Sequence, residues 1–210
     1  MNNSTTKLTI SSLDWLSSRI FDNPYLFNYV RRFLAGDQRG TKKFVREALE
    51  KYQCTSVLDL GCGTGDFSES CPKDVTYLGT DLNANFIRYA QSRYKRDKNK
   101  QFIYEDILKN DKHQTYDAVL FISMMHHFSD TDLSIILKKI KKFTSKIVII
   151  ADIIPDPPHM LQRITAGMDR GRFVRPRQEK LEILRKYFHI CETKTINSRL
   201  AVQFGVICKN

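Results

Sequence analysis

From residue 55 onward, short apolar runs alternate with amphipathic stretches, and that alternation restricts the chain to one class of architecture. The runs are TSVLDL (55–60), VTYLGT (75–80), QFIYE (101–105), YDAVLFI (116–122) and KIVIIAD (146–152). Between them, NANFIRYAQSRY (83–94) reads as a helix with Asn83 as its cap. DLSIILKKIKKF (132–143) places Leu133, Ile136, Leu137, Ile140 and Phe143 on one helical face, with Ser129 or Asp130 available as cap. Strands joined by helices require right-handed crossovers, so the expected fold is α/β with a doubly wound, mostly parallel sheet. Continuous apolar runs such as IVII fit strands covered on both faces.

The ends of the chain depart from this pattern. SSLDWLSSRIF and PYLFNYVRRFLAG read as two helices meeting at Pro24, which opens a helix but cannot sit inside one, with Gly36 as a stop. TKKFVREALEKY (41–52) is a third helix, and a fourth is expected near 178–187. FHICETKTI and RLAVQFGVIC follow with no helix between them, which predicts an antiparallel hairpin at the sheet edge. In the last run Leu200, Val202, Phe204, Val206 and Cys208 alternate onto one face. The stretch from Asp152 to Arg177 is too long for a bare connector, and loops of that length are usually functional. The expected organisation is one domain: a helical cap (1–52), a ligand-binding core (53–151), a substrate loop (152–177) and a terminal helix with hairpin (178–210).

Composition narrows the setting. A chain of 210 residues can bury roughly 70% of its unfolded surface, enough for one core. The start, MNNSTTKLTISS, lacks an apolar signal core, no run is long enough for a membrane span, and five scattered cysteines form no CxxC pair. A cytoplasmic protein with reduced thiols and no metal site is expected. The net charge of +11 resides in RYKRDKNK (93–100), KKIKKFTSK (138–146) and RGRFVRPR (170–177). It fits solvated helix ends and loops, or an acidic partner.

The chemistry is concentrated in LDLGCGTGDF (58–67), where Gly61, Gly63 and Gly65 follow the first strand. Ligands of open α/β sheets bind at the carboxyl ends of the strands, and glycines let backbone approach them. A dinucleotide fingerprint needs a third glycine at the sixth position, where this chain has Asp66. A P-loop needs G-K-[ST], which is missing.

VLDLGCGTGDF resembles the first motif of class I S-adenosylmethionine-dependent methyltransferases, and the resemblance extends over about residues 55–151. It implies a seven-stranded Rossmann-like sheet with an antiparallel C-terminal hairpin, an N-terminal helical extension, and S-adenosylmethionine as cofactor. The cofactor's amino-acid end would lie against Asp59, Gly61, Cys62, Gly63 and Gly65; it carries no phosphate, which agrees with Asp66. Asp81, with Leu82 beside it, would accept the ribose hydroxyls. Asp106 would meet the adenine amino group, and Ile107 the ring. Phe121 to Met124, Ser123 among them, would line the pocket near the sulfonium.

An alcohol or activated-carbon acceptor needs a proton acceptor. The candidates are His126 and His127, after strand four, Asp152, after strand five, and His159 beyond it. Enzymes that methylate base amino groups often carry [DN]-P-P-aromatic after strand four. Here Asp156-Pro157-Pro158 follows strand five, and His159 replaces the aromatic. The reading is therefore methyl transfer to oxygen, carbon or nitrogen of a small or lipid-like acceptor. Tyr25, Phe27 and Tyr29 are candidate walls, and Arg170, Arg172 and Arg175 candidate holders of an anion. Nucleic acid is the less favoured partner. An RNA or protein methyltransferase and a non-catalytic cofactor-binding module are the alternatives.

Overall fold

The computed structural model describes residues 23–26, 28–29, 38–110, 112–155, 172–197 and 202–210. Seven strands form one sheet: β1 (Ser56–Leu60), β2 (Thr76–Asp81), β3 (Lys100–Tyr104), β4 (Tyr116–Ile122), β5 (Thr144–Ile153), β6 (His189–Asn197) and β7 (Val202–Lys209). Their spatial order is β3-β2-β1-β4-β5-β7-β6. The first five pair in parallel, and β7 runs antiparallel to both β5 and β6. The helices are α1 (Arg39–Lys51), α2 (Ala84–Arg93), α3 (Asp130–Phe143) and α4 (Arg177–Arg185).

The sheet is covered on both faces, which is why its strands read as unbroken apolar runs. On one face Phe44, Val45 and Leu49 of α1 and Ile87 and Ala90 of α2 pack with Val57, Tyr77, Ile147 and Ile149. On the other, Leu133, Ile136, Leu137 and Ile140 of α3 and Leu184 of α4 pack with Leu58, Leu60, Val119, Phe121, Val148 and Ile150. The caps explain where two helices begin. Asn83 accepts the N–H groups of Asn85 and Phe86, and Ser129 accepts that of Asp132, so Ser129 is the cap of α3. Asn23 accepts from Tyr25 and Leu26, and the backbone at 24–26 is helical, consistent with Pro24 at a helix start.

Three details differ from the sequence reading. The helix expected from residue 41 begins at Arg39. The residues after the glycine turn, whose sequence suggests a short helix near 66–71, form a single 3₁₀ helix, Asp66–Ser70. β7 is buried on both faces rather than one, because it lies between β5 and β6 and leaves β6 at the edge. The helix expected at 11–21 and the whole stretch 156–171 lie outside the described residues.

Candidate active site

The turn after β1 owes its shape to its glycines: Gly61, Gly63 and Gly65 have φ of +79°, +56° and +80°. A Cβ on Gly61 would lie 2.3 Å from the Met124 sulfur, so the turn and the end of β4 touch here. A Cβ on Gly63 would meet nothing within 4 Å; the backbone there faces open space. The turn's N–H groups point inward. Gly61 and Cys62 both donate to the Thr80 carbonyl, Gly63 donates to Asp81 Oδ2, and Gly65 to the Cys62 carbonyl. These four donors are unavailable to a phosphate, and a single 3₁₀ turn follows in place of an α-helix N-terminus. That geometry, rather than Asp66, is what disfavours a nucleotide phosphate. Asp66 is 7% exposed, paired with Arg93 at 2.7 Å and 2.9 Å from the Thr64 hydroxyl, so its charge is compensated inside the protein.

Asp81 stands at the carboxyl end of β2. Its Oδ2 accepts from Gly63 N at 2.8 Å and its Oδ1 from Asn83 N at 2.8 Å. Burial raises its carboxyl above the usual range, opposed by those backbone bonds. A carboxylate offers about four acceptor positions, so this one has capacity for further hydroxyl donors. Leu82, beside it, is 59% exposed. Beyond β3, Asp106 Oδ1 accepts from Leu108 N, and Asp106 Oδ2 lies 3.2 Å from Lys109. Ile107 is partly buried against the α3 core. The loop from 107 to 110 is held from α3: Lys139 Nζ donates to the carbonyls of Ile107, Leu108 and Asn110 at 3.0, 2.7 and 3.1 Å.

Asp59 belongs to the interior. It is 1% exposed and accepts the Tyr77 hydroxyl at 2.5 Å. Burial pushes its carboxyl up to about 7; the Tyr77 bond opposes the shift, while Asp81 and Asp66 add to it. Ser123, after β4, has φ of +55° and accepts from Gln203, which in turn accepts from Thr41 at 2.5 Å. This relay joins α1 and β7 to the end of β4.

At the ends of β4 and β5, His126 and Asp152 are brought together. His126 is 1% and Asp152 0% exposed, with His126 Nδ1 bonded to Asp152 Oδ1. Ile153 N also donates to that oxygen, and Lys180 Nζ lies 3.4 Å from Asp152 Oδ2. Lys180 is itself 1% exposed and donates to the Ile153 carbonyl. His127 is exposed, its ring centroid 4.1 Å from that of His126. His159 and Arg170 lie outside the described residues, and Arg172 is exposed.

Arg175 corrects an expectation. It is 4% exposed and donates to the carbonyls of Met125, Phe128 and Phe173 and to Asp130 Oδ1, so its guanidinium holds the chain rather than an acceptor. With Phe173 N on the His126 carbonyl, it ties residues 173–175 across the turn that carries the histidines. Tyr25 and Tyr29 are 72% and 71% exposed. Tyr25 meets Tyr89 edge-on at 5.1 Å, while Asn28 Oδ1 lies 2.9 Å from the Thr64 hydroxyl, placing this segment beside the glycine turn.

Lys180 and Lys139 were not singled out in the sequence. Lys180 had a signal, since it lies four residues before Leu184 on the buried side of α4. Lys139 had none, sitting in a run of similar lysines.

A methyltransferase-domain family model matches residues 57–146. No curated protein sequence matches the chain. Solved structures do match in fold. Magnesium protoporphyrin IX methyltransferase (ChlM) from Synechocystis PCC 6803, with bound S-adenosylhomocysteine, is 17% identical with a TM-score of 0.70, over 93% of this chain and 99% of that one. The methyltransferase domain of bacterial CtHen1-CN is 20% identical with a TM-score of 0.69, over 83% of this chain and 100% of that one. N-methyltransferase NodS from Bradyrhizobium japonicum WM9 is 16% identical with a TM-score of 0.68, over 83% of this chain and 96% of that one. The glycine turn, Asp81, Asp106 and the histidine doublet all fall inside the residues that the methyltransferase-domain model matches, and the solved structures share the fold.

Proposed function

We propose that this methyltransferase acts on a small-molecule acceptor, with the cofactor along the ends of β1, β2 and β3 and the acceptor over β4 and β5. The observation that carries the reading is the meeting of the open glycine turn, the Asp81 carboxylate and the His126–Asp152 pair along the carboxyl ends of β1, β2, β4 and β5. Gly61, Cys62, Gly63 and Gly65 would border the methionine part, above Asp59. Asp81 would take the ribose hydroxyls, Leu82 and Ile107 would flank the adenine, and Asp106 would accept its amino group. Ser123 would border the sulfonium. When bound, S-adenosylmethionine supplies an activated methyl group on sulfur.

The chain's own part is to hold the reacting groups in line and remove a proton. His126, fixed by Asp152 through Nδ1, is the assigned proton acceptor, with the exposed His127 beside it; His159 is a further candidate from the sequence. Residues 53–151 would then form the cofactor-binding core, 1–52 a cap, and 152–177 the acceptor side, before the terminal helix and hairpin. Support for a small acceptor comes from the ChlM neighbour, whose name specifies a porphyrin, and from SMMHHF in place of an amino-methylation motif after β4. The engagement of Arg175 removes one reason to expect an anionic acceptor.

The test is calorimetry with S-adenosylhomocysteine. Asp81→Ala, losing charge-assisted bonds of about 1.5–3 kcal/mol, should bind at least tenfold more weakly. An unchanged dissociation constant in the folded variant overturns the ribose assignment. Transfer of labelled methyl to a metabolite extract, compared with bulk RNA, tests the acceptor class.

A further inference from the structure

Polar side chains from α1, β7 and the end of β4 form a relay that finishes beside the glycine turn. Thr41 of α1 is 2% exposed, and its hydroxyl donates to Gln203 Oε1 at 2.5 Å. Gln203 of β7 stands in register with Ile153 on β5, and its Nε2 donates to Ser123 Oγ at 2.8 Å. Ser123 directly follows β4 and is half-buried. Its φ of +55° is a left-handed conformation that a serine rarely adopts, held by Ser123 N on the Ala151 carbonyl at 2.7 Å. Backbone strain of this kind persists where the surroundings fix it, and it gathers at ligand sites.

The direction of the relay follows from burial. A glutamine amide has a donating end and an accepting end, and here it lies between two hydroxyls. Among the described residues the Thr41 hydroxyl meets no acceptor other than Gln203 Oε1, so a reversed amide would strand a buried proton. The accepting end therefore faces Thr41, and the donating end faces Ser123. Ser123 Oγ receives that bond, and its own proton meets no acceptor among the described residues. The end of β4 thus presents a hydroxyl donor whose oxygen is already held in place.

A ligand at this place needs such a donor. Met124, next in the chain, lies against Gly61, so Ser123 adjoins the turn proposed to hold the methionine part of the cofactor. That part ends in an α-carboxylate. The N–H groups of Gly61, Cys62, Gly63 and Gly65 are spent on Thr80, Asp81 and the Cys62 carbonyl, so these cannot serve a carboxylate. The side chains nearby, Asp59, Asp66 and Asp81, are acidic. The reacting atom of the acceptor must keep its lone pair for the methyl carbon. A donor beside the sulfonium therefore suits the carboxylate, three carbons from that sulfur, and not the acceptor atom.

We propose that the Ser123 hydroxyl donates to the α-carboxylate of the cofactor, and that Gln203, its amide direction set by Thr41, is the positioning residue that leaves the proton facing the ligand. This rests on the cofactor placement proposed above. The relay also accounts for a glutamine among the apolar buried residues of β7, and for a threonine on the buried side of α1 with Phe44 and Val45.

The experiment compares two ligands by calorimetry on the full chain. S-adenosylhomocysteine carries the amino-acid end; methylthioadenosine keeps the adenine, ribose and sulfur but lacks that end. Ser123→Ala should bind S-adenosylhomocysteine about tenfold or more weakly, as expected for a lost bond to a charged group, and methylthioadenosine as tightly as wild type does. Ser123→Gly suits a left-handed φ, should show the same split, and serves if the alanine variant does not fold. Gln203→Glu keeps the shape but has no N–H to give, so its carboxylate draws the Ser123 proton to itself, and the same selective loss is expected. Combined with Ser123→Ala it should cost no more than the alanine change alone, because both remove one donor. Additive losses would overturn the positioning role of Gln203. Unchanged S-adenosylhomocysteine affinity in the Ser123 variants, or parallel loss of both ligands, overturns the whole proposal while leaving the cofactor placement standing. Failure of the wild type to bind either ligand sinks that placement, and the proposal with it.

Discussion

A buried carboxyl can be part of a site and still be a liability to the fold. Asp59 lies beneath the glycine turn with the Tyr77 hydroxyl as its partner. Its folded-state value of about 7 exceeds the unfolded value of about 3.9. Between those limits the unfolded chain has released the proton and the folded chain retains it, so stability falls as pH rises through the window. Asp59→Asn keeps an acceptor for Tyr77 but has no proton to lose. The variant should therefore match wild type near pH 4 and exceed it at pH 8, by roughly 2–4 kcal/mol in urea unfolding. Equal pH dependence in the two proteins would show that Asp59 ionises normally. Arg175 teaches the complementary lesson. In RGRFVRPR it was one of several arginines near a glycine, and only burial separates it from the exposed Arg172.

The loop after β3 shows how an element far from the glycine turn shapes the surroundings proposed for the cofactor. Its carbonyls at 107, 108 and 110 converge on one ammonium from α3. Glu105 adds a second tie, bonded to His113 at 2.6 Å and to Asn110, with both members of the acid–histidine pair under 9% exposed at the side chain. Lys139→Met should leave three carbonyls without their donor and loosen Asp106 and Ile107. The expected result is a three- to tenfold loss of S-adenosylhomocysteine affinity, for about 1 kcal/mol of lost bonding. The loss should be smaller for the inosine analogue, which lacks the amino group proposed to meet Asp106. Identical affinities in wild type and variant, measured by calorimetry, would mean that the loop keeps its shape without the clamp. The hairpin makes a related point. Its two strands were expected from sequence, but that β7 is interior and β6 the edge follows from the need to cover an apolar strand on both faces.

Across the whole molecule the excess of 11 positive charges is the property with no assigned role. No helix among the described residues is long and apolar enough to cross a membrane. If it served RNA recognition, binding would neutralise several phosphates, and log affinity would fall with log salt by about 0.7 per contact. S-adenosylhomocysteine carries no phosphate, so its affinity should change little with salt. The expected pattern is flat cofactor binding, RNA retention only at low salt, and no methylated RNA product. Methylated RNA formed by an RNA complex that binds tightly at low salt would favour the RNA-methyltransferase alternative.

Local rules account for much of what could be read before the fold was seen. Period-two and continuous apolar runs marked the strands, 3.6-residue spacing marked α2 and α3, and Asn83 and Ser129 acted as caps because their short side chains reach N–H groups two or three residues away. The glycine turn and Asp81 were legible for the same reason: a tight turn after a strand demands particular residues at fixed spacing. What only the tertiary structure decided depends on groups distant in sequence. The turn's N–H groups close on Thr80 and Asp81, Lys139 reaches across to residues 107–110, and Lys180 reaches Asp152, 28 positions away by number (180 minus 152). Burial, which turns one lysine among many into a buried counter-ion, is a property of the packed chain and has no short-range code in the sequence.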